Sequence, residues 1–458
     1  MLFQTWPFVI FFLIVYPAYL ALKQSRFRLP FLLAASYFFY GWLNPLYVVL
    51  IAYSTVLDYV VAARMEKGKR RKSWLAVSIV NNLGLLGFFK YGTFVTDNLN
   101  VLLSSLRIPY AIPSPGILLP AGLSFYTFQS LSYTIEYYRG NIERERSLIR
   151  YATFVAFFPR LLAGPIERAK NLLPQLHKTP AISGQDIADG LSLFVVGLFK
   201  KVALADYLAL YVNKVYAAPE QFQSPALLLA TFLFAWQIYF DFSGYTDMAR
   251  GVARMMGFRL MLNFNNPYLA ASLGEFWQRW HISLSSWFKD YVYIPLGGNR
   301  KGTLGTYKNM FLTMVISGLW HGAAWTFVIW GALHALGRFA TRELERTAFY
   351  RERVPTLVKQ LFVFVFVTFA WIFFKAESIG DASVIVARIF TSGFANPQCP
   401  LLAIVLILAV WLYQFVHESR AGWVLALAPV RIGTVVLMIL YLAVLAPSSD
   451  QGFIYLQF

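Results

Sequence analysis

Residues Leu2–Leu22 read LFQTWPFVIFFLIVYPAYLAL, an apolar run without one charged side chain. A hydrocarbon core about 30 Å thick needs roughly 20 such residues in helical form, because every backbone amide must be satisfied within its own segment. The run therefore predicts a membrane-spanning helix, and the chain repeats the pattern beyond it. Leu29–Leu43, Pro45–Ala63 with its lone Asp58, and Trp74–Phe89 come next. Further candidates lie at 117–138, 147–164, 186–212, 225–249, 304–336, 357–374, 400–417 and 423–446. The expected fold is all-α and integral to the membrane, with about eleven transmembrane helices. Residues 1–458 are expected to form a single multi-pass domain, with motifs concentrated at 115–340 and further helices at 357–446. The first run lacks a basic flank before it and a small-residue cleavage site after it, so it reads as a retained helix rather than a signal peptide.

Composition agrees: 58% of residues are hydrophobic, 18% aromatic and only 14% charged, against about 25% charged in soluble domains. That excludes an ordinary water-soluble enzyme, a disordered tail and a nucleic-acid module. Lys and Arg outnumber Asp and Glu 40 to 22, and the excess sits mostly between the apolar runs, where it is first an orientation signal. Lys23, Arg26 and Arg28 follow the first run, the Asn44-Pro45 turn is uncharged, and Arg64, Lys67, Lys69, Arg70, Arg71 and Lys72 then arrive together. This alternation predicts an amino terminus outside and cytoplasmic loops at 23–28 and 64–72. A solvated loop without a partner is the ordinary reading of the 64–72 run. The single Cys399 permits no intrachain disulfide and no zinc-finger spacing.

In a bilayer, ionisable residues at depth are the informative ones. His177 lies in the polar stretch 165–185, and His417 ends an apolar segment beside Glu418 and Arg420, so both read as loop or interfacial side chains. His321 differs, because it sits in the apolar run Met310–Leu336, MFLTMVISGLWHGAAWTFVIWGALHAL. Gly318 and Gly322 flank it, removing bulk so that a substrate or a neighbouring backbone can come close. A buried packing histidine is the competing reading. His334 lies thirteen residues on, some 20 Å along a continuous helix, so the two cannot share a metal unless the helix breaks.

Residues 259–302 are too charged to span and too aromatic for an ordinary loop. Phe276, Trp280, Leu284, Trp287 and Tyr291 recur at three- and four-residue steps, which predicts a short amphipathic helix at the membrane boundary. Interfacial tryptophans explain part of it; the density of Arg279, His281, Ser283, Ser285 and Asp290 leaves anchor and site wall equally open. Asp241 and Asp247 stand six apart in YFDFSGYTDMA, on opposite faces of one helix, so a shared metal would need a break at Gly244. Helix breaking there, with a structural hydrogen-bond role, is the expected reading.

The stretches FDFSGYTDMA, NFNNPY, EFWQRWHISLSSWFKDYVYIPLGGNRKG and GLWHGAAWTFVIWGALH together resemble the membrane-bound O-acyltransferase family. The likeness is to its bacterial branch typified by the alginate O-acetylation membrane protein and, more distantly, the D-alanyl transfer protein of teichoic acid modification. Leu118–Tyr126 (LLPAGLSFY) and Phe157–Pro165 (FFPRLLAGP) support it, and it runs from Leu29 to Lys375. The resemblance implies tilted helices with re-entrant or horizontal pieces around a tunnel. It places the family's catalytic histidine on His321 and its second histidine on His281, with Gln278 where the family pattern has an arginine and Arg279 retained. Trp280, Arg279, Asn263, Trp320, Asp290 and Tyr245 are the expected substrate-binding residues.

The chemistry of acyl transfer fits these residue types. It requires removal of a hydroxyl proton and stabilisation of an oxyanion, without metal or cofactor. A neutral imidazole performs the first, and His281, the Trp280 indole or Asn263 can perform the second. No serine nucleophile elbow or Cys–His pair is visible, so direct transfer is expected. The expected donor is acetyl-CoA on the cytoplasmic side of a bacterial inner membrane, the amino terminus being periplasmic. The resemblance implies, as partners, a periplasmic SGNH-like (serine-hydrolase-like) O-acetyltransferase and the export machinery of a polysaccharide. Two alternatives remain at this stage: D-alanyl transfer from a carrier protein, and a proton-coupled transporter. Transporters usually carry two related halves, which this sequence lacks.

Overall fold

The computed structural model describes residues 1–116, 119–445 and 452–454. Ile117 and Leu118, which open one expected span and one quoted motif, and residue 446, which closes the last expected span, lie outside the described residues. The described structure is helical with no strand, as expected of a chain whose amides must pair within the bilayer. Among the described residues five helices are long and apolar enough to cross a membrane: Pro45–Lys67, Ser224–Met255, Thr356–Lys375, Leu401–Glu418 and Ala428–Leu445. Trp6–Leu22 is a shorter apolar helix.

Several expected spans are broken, each for a local reason. The 147–164 segment is helical only over Leu148–Ala156, before a short 3₁₀ turn at Phe158–Arg160 that contains Pro159. Residues 186–212 form a helical path through a π turn at Phe199–Ala205. The 304–336 run is a helical hairpin, Gly302–His321 and Trp325–Leu344, rather than one span. The 423–446 segment divides at Leu427 into Gly422–Ala426 and Ala428–Leu445.

The chain divides into two compact units. The first comprises Met1–Leu191 with Ala249–Met261. Its Trp6–Leu22 and Arg28–Gly41 helices meet through Phe11, Phe39 and Phe158, whose rings lie 5.3–5.7 Å apart. The Pro45–Lys67 helix starts at Pro45 under an Asn44 cap, whose Oδ1 accepts from the Leu46 amide at 3.0 Å. Asp58, fully buried on that helix, accepts from Ser78 Oγ at 2.6 Å and Asn82 Nδ2 at 2.9 Å on the Arg71–Leu86 helix. The lone acid of the Pro45–Ala63 run is thus the hydrogen-bonded core of a helix pair, the condition for keeping a carboxyl at depth.

The second unit comprises Ser192–Met248 with Leu262–Phe458. The Ser224–Met255 helix passes unbroken through Gly244, against the expected break there. Glycine serves close packing instead. A Cβ on Gly244 would meet the Gly197 carbonyl oxygen at 2.7 Å, and one on Gly197 would meet the Gly244 carbonyl oxygen at 2.5 Å. The two aspartates flanking Gly244 are held by two adjacent lysines, Lys200 with Asp247 at 2.7 Å and Lys201 with Asp241 at 2.8 Å. Lys201 also reaches Asp206 at 2.8 Å. The two carboxylates that flank Gly244 are thus held by different lysines.

Candidate functional site

The site lies within the second unit and begins at the break in the Met310–Leu336 run. His321 is the last residue of the Gly302–His321 helix; Gly322 leaves the helix in extended conformation, and the chain returns as Trp325–Leu344. The glycines set this geometry. A Cβ on Gly318 would fall 2.2 Å from the Phe327 carbonyl oxygen, one on Gly331 2.4 Å from that of Met314, and one on Gly322 1.9 Å from the Phe327 ring. The neighbour that glycine admits is therefore the returning helix of the same hairpin. Gly318→Ala is expected to destabilise the protein by about 1–3 kcal/mol or more, since the clash is with backbone that cannot rotate away. A lowered unfolding temperature in detergent, with an activity loss that follows the loss of folded protein, checks this.

His281 reaches the same place from the 259–302 segment. The expected single amphipathic helix is two, Leu273–Arg279 and Ile282–Phe288, because His281 takes a left-handed conformation with φ 44°. That backbone state is uncommon for a residue with a side chain and persists only when surroundings enforce it. Here Asn263 enforces it: its carbonyl accepts from the Ile282 amide at 2.9 Å, and its Oδ1 accepts from the Ser283 amide at 3.2 Å and Ser283 Oγ at 2.9 Å. The Asn263 Nδ2 remains a buried donor without a partner among the described residues.

The two turns place the rings of His281 and His321 with centroids 6.4 Å apart. Trp320 touches both, at 6.0 and 5.0 Å. Phe242 closes on His281 at 4.6 Å, and Trp330 and Phe374 close on His321 at 5.1 and 5.3 Å. Both histidines are buried. His281 lies between two short helices, and burial pushes its imidazole down to about 3, so it is neutral at physiological pH. At this separation one reacting oxygen can lie within hydrogen-bond reach of a nitrogen of each ring. The arrangement is a water-poor imidazole pair suited to moving a proton, and no group of three or more His, Cys, Asp or Glu that could hold a metal occurs among the described residues.

A family model for membrane-bound O-acyltransferases matches residues 143–379, which contain both histidines. The chain belongs to the membrane-bound O-acyltransferase family. It is an O-acyltransferase and a multi-pass membrane protein. The probable alginate O-acetylase of Azotobacter vinelandii is 42% identical over 399 residues, 86% of this chain and 79% of that one. The peptidoglycan O-acetyltransferase of Helicobacter pylori is 35% identical over 390 residues, 79% of this chain and 73% of that one. The teichoic acid D-alanyltransferase of Bacillus subtilis is 28% identical over 268 residues, 55% of this chain and 67% of that one.

Within this acyltransferase, the other sequence-derived residues take different places. Arg279 is bound to two carboxylates, Glu275 at 2.8 Å and Glu418 at 2.5 Å. Trp280 is a fully buried ring stacked on Phe276 at 5.5 Å and set against Trp371 at 5.1 Å. Asp290 is half-buried on the π turn Lys289–Tyr293. Tyr245 stacks on Phe453 at 4.8 Å, and the next residue, Ile454, donates its amide to Asp241 at 2.7 Å. His334 does not lie far along one continuous helix from His321. Trp330 lies one turn before His334 on the Trp325–Leu344 helix, 4.7 Å from it, and the hairpin break brings His321 to the same ring. Half-buried Trp277 lies 5.1 Å from His334.

Three cations that sequence reading did not single out, Lys289, Arg338 and Arg342, are among the residues lining a cavity of about 720 Å³. Arg338 also binds Glu345 at 3.0 Å, and the cavity extends to Trp277 and to Ser317, one helical turn before His321. Gly274 leaves room for the Arg338 guanidinium, whose carbon would lie 2.9 Å from a Cβ there. The signal in the sequence was the Arg338/Arg342 pair one turn apart, just beyond the apolar run.

Proposed function

We propose that this acyltransferase takes an acetyl group from a cytoplasmic thioester donor, acetyl-CoA, and passes it across a bacterial inner membrane for O-acetylation of an exported polysaccharide. The observation that carries the proposal is the buried His281–Trp320–His321 cluster beside a cavity lined by Lys289, Arg338 and Arg342. The alginate and peptidoglycan O-acetyltransferases that this chain resembles support acetyl as cargo and a polysaccharide as the eventual recipient. The immediate recipient is a periplasmic SGNH-like transferase, which hands the group to the sugar. The basic loops at 23–28 and 64–72 support a periplasmic amino terminus through the excess of positive charge expected on the cytoplasmic side.

In this mechanism His321 is the general base. Its unprotonated nitrogen takes the acceptor hydroxyl proton as the oxygen attacks the thioester carbonyl. Asn263 Nδ2 and His281 donate to the oxyanion that forms. The tetrahedral carbon then expels the thiolate, which recovers the proton from His321, so that the ester and free thiol leave a neutral imidazole. The cations of the cavity hold the phosphates of the donor, and desolvation by Trp320, Trp330 and Phe374 protects the thioester from water.

The test is transfer from labelled acetyl-CoA by the purified protein. Wild type is expected to release CoA and acetylate the acceptor hydroxyl. Exchange of Arg338 and Arg342 for glutamine is expected to raise the donor KM roughly tenfold at little change in kcat, the value of about one charge-assisted hydrogen bond. Turnover of a D-alanyl carrier protein in place of acetyl-CoA, or pH-gradient-driven uptake without any acyl product, would refute the proposal.

A further inference from the structure

Along the Pro45–Lys67 and Arg71–Leu86 helices of the first unit runs a groove of about 790 Å³ whose lining is almost wholly apolar. Val49, Tyr53, Val56 and Val60 form its stripe on one helix, and Trp74 and Val77 its wall on the other. The four stripe residues are each 42–67% exposed. From Val49 to Val60 a helix rises about 16 Å, close to one leaflet of a hydrocarbon core about 30 Å thick. The groove thus has the length of a lipid chain.

One end of the groove is charged. Beyond Val60 the chain enters Arg64–Lys72, with six basic residues and one acid, Glu66. Arg144 binds Glu66 at 2.9 Å and so removes it as a counter-charge. Among the described residues no carboxylate pairs with Arg64, Lys67, Lys69, Arg70, Arg71 or Lys72. Arg64 lies over the Trp74 ring at 5.9 Å, which joins the cationic loop directly to the groove wall. An orientation signal requires only that the charges lie on one side of the membrane; it does not require a leaflet-length groove to end under them.

We propose that this groove is a binding site for one anionic phospholipid, its acyl chain along Val49–Val60 and its phosphate among Lys69, Arg70 and Lys72. Cations at a membrane surface each strengthen attraction to anionic lipid by roughly fivefold, and a chain seated in the groove converts that diffuse attraction into a located site. The site is remote in sequence from the histidine cluster and independent of the acetyl-transfer proposal.

The experiment is native mass spectrometry of the delipidated full chain titrated with phosphatidylglycerol or phosphatidylcholine. One tightly held phosphatidylglycerol is expected, retained at least tenfold better than phosphatidylcholine. Exchange of Lys69, Arg70 and Lys72 for glutamine is expected to bring the two lipids to equal retention. Val56→Trp, which fills the groove and leaves every charge, is expected to lower phosphatidylglycerol retention at least fivefold. Both sets of changes are on exposed positions, and monodisperse elution of each variant establishes that it is folded. Equal retention of the two lipids by wild type, or undiminished retention by Val56→Trp, overturns the proposal and leaves only diffuse adsorption to the loop. Displacement of the lipid by millimolar glycerol phosphate would also overturn it, because the site would then be one for soluble phosphate.

Discussion

His321→Ala is expected to lower the rate of acetyl transfer from acetyl-CoA by about 10²- to 10⁴-fold, the usual contribution of a positioned general base. The loss should fall on kcat and on kcat/KM alike, because proton removal is realised in the transition state and not in donor binding. The donor cavity reaches only as far as Ser317 on the same helix, so its cations are untouched by the change. His321→Ala also opens space beside Trp330 and Phe374, and an unaltered unfolding temperature separates the chemical effect from collapse of the pocket. His281→Ala should cost less, since that ring donates to the oxyanion beside a second donor, Asn263. Equal rates for wild type and His321→Ala would remove the base from the mechanism.

Lys201→Met is expected to be the most damaging change away from the histidines. The lysine is 2% exposed and bound at 2.8 Å to both Asp206 and Asp241, themselves buried. Removing one partner of a buried ion pair leaves carboxylates uncompensated and typically costs about 3–5 kcal/mol, whatever the pair itself contributes. Asp241 also accepts the Ile454 amide, so the loss reaches the segment in which Phe453 packs on Tyr245 and Phe242. Phe242 is in turn the ring closed on His281. Thermal unfolding in detergent should show a large fall for Lys201→Met and a smaller one for Lys201→Arg, which keeps the charge. A wild-type unfolding curve for Lys201→Met would show that the triad is solvated.

Much of this was legible from residues alone. Apolar length gave the helical membrane class, the Trp-His-Gly setting singled out His321, and the family resemblance pointed to His281, the second of the two rings that the fold brings together. The breaks were not legible. Met310–Leu336 carries no charged side chain at which to stop a helix, and Gly318 and Gly322 fit a substrate's approach as well as they fit the returning Phe327. The steps from Phe276 to Tyr291 continue the helical period straight through His281, whose left-handed backbone is held by Asn263, eighteen residues earlier, through its bonds to Ile282 and Ser283. Asp241 and Asp247 were visible as acids at depth, but their partners Lys201 and Lys200 lie 40 and 47 residues earlier, and a π turn rather than any sequence period aims them. Arg279 shows both cases: Glu275 stands four residues before it, the spacing of a helical ion pair, whereas Glu418, its second partner, is brought to it only by folding.

The most direct measurement is the structure of this protein with a non-hydrolysable thioether analogue of acetyl-CoA bound. The account predicts phosphates among Lys289, Arg338 and Arg342, a chain passing Ser317, and the carbonyl mimic about 3–3.5 Å from a nitrogen of His321, with Asn263 Nδ2 or His281 on its oxygen. An analogue seated elsewhere, with the rings of His281 and His321 still sealed behind Trp320, Trp330 and Phe374, would contradict it.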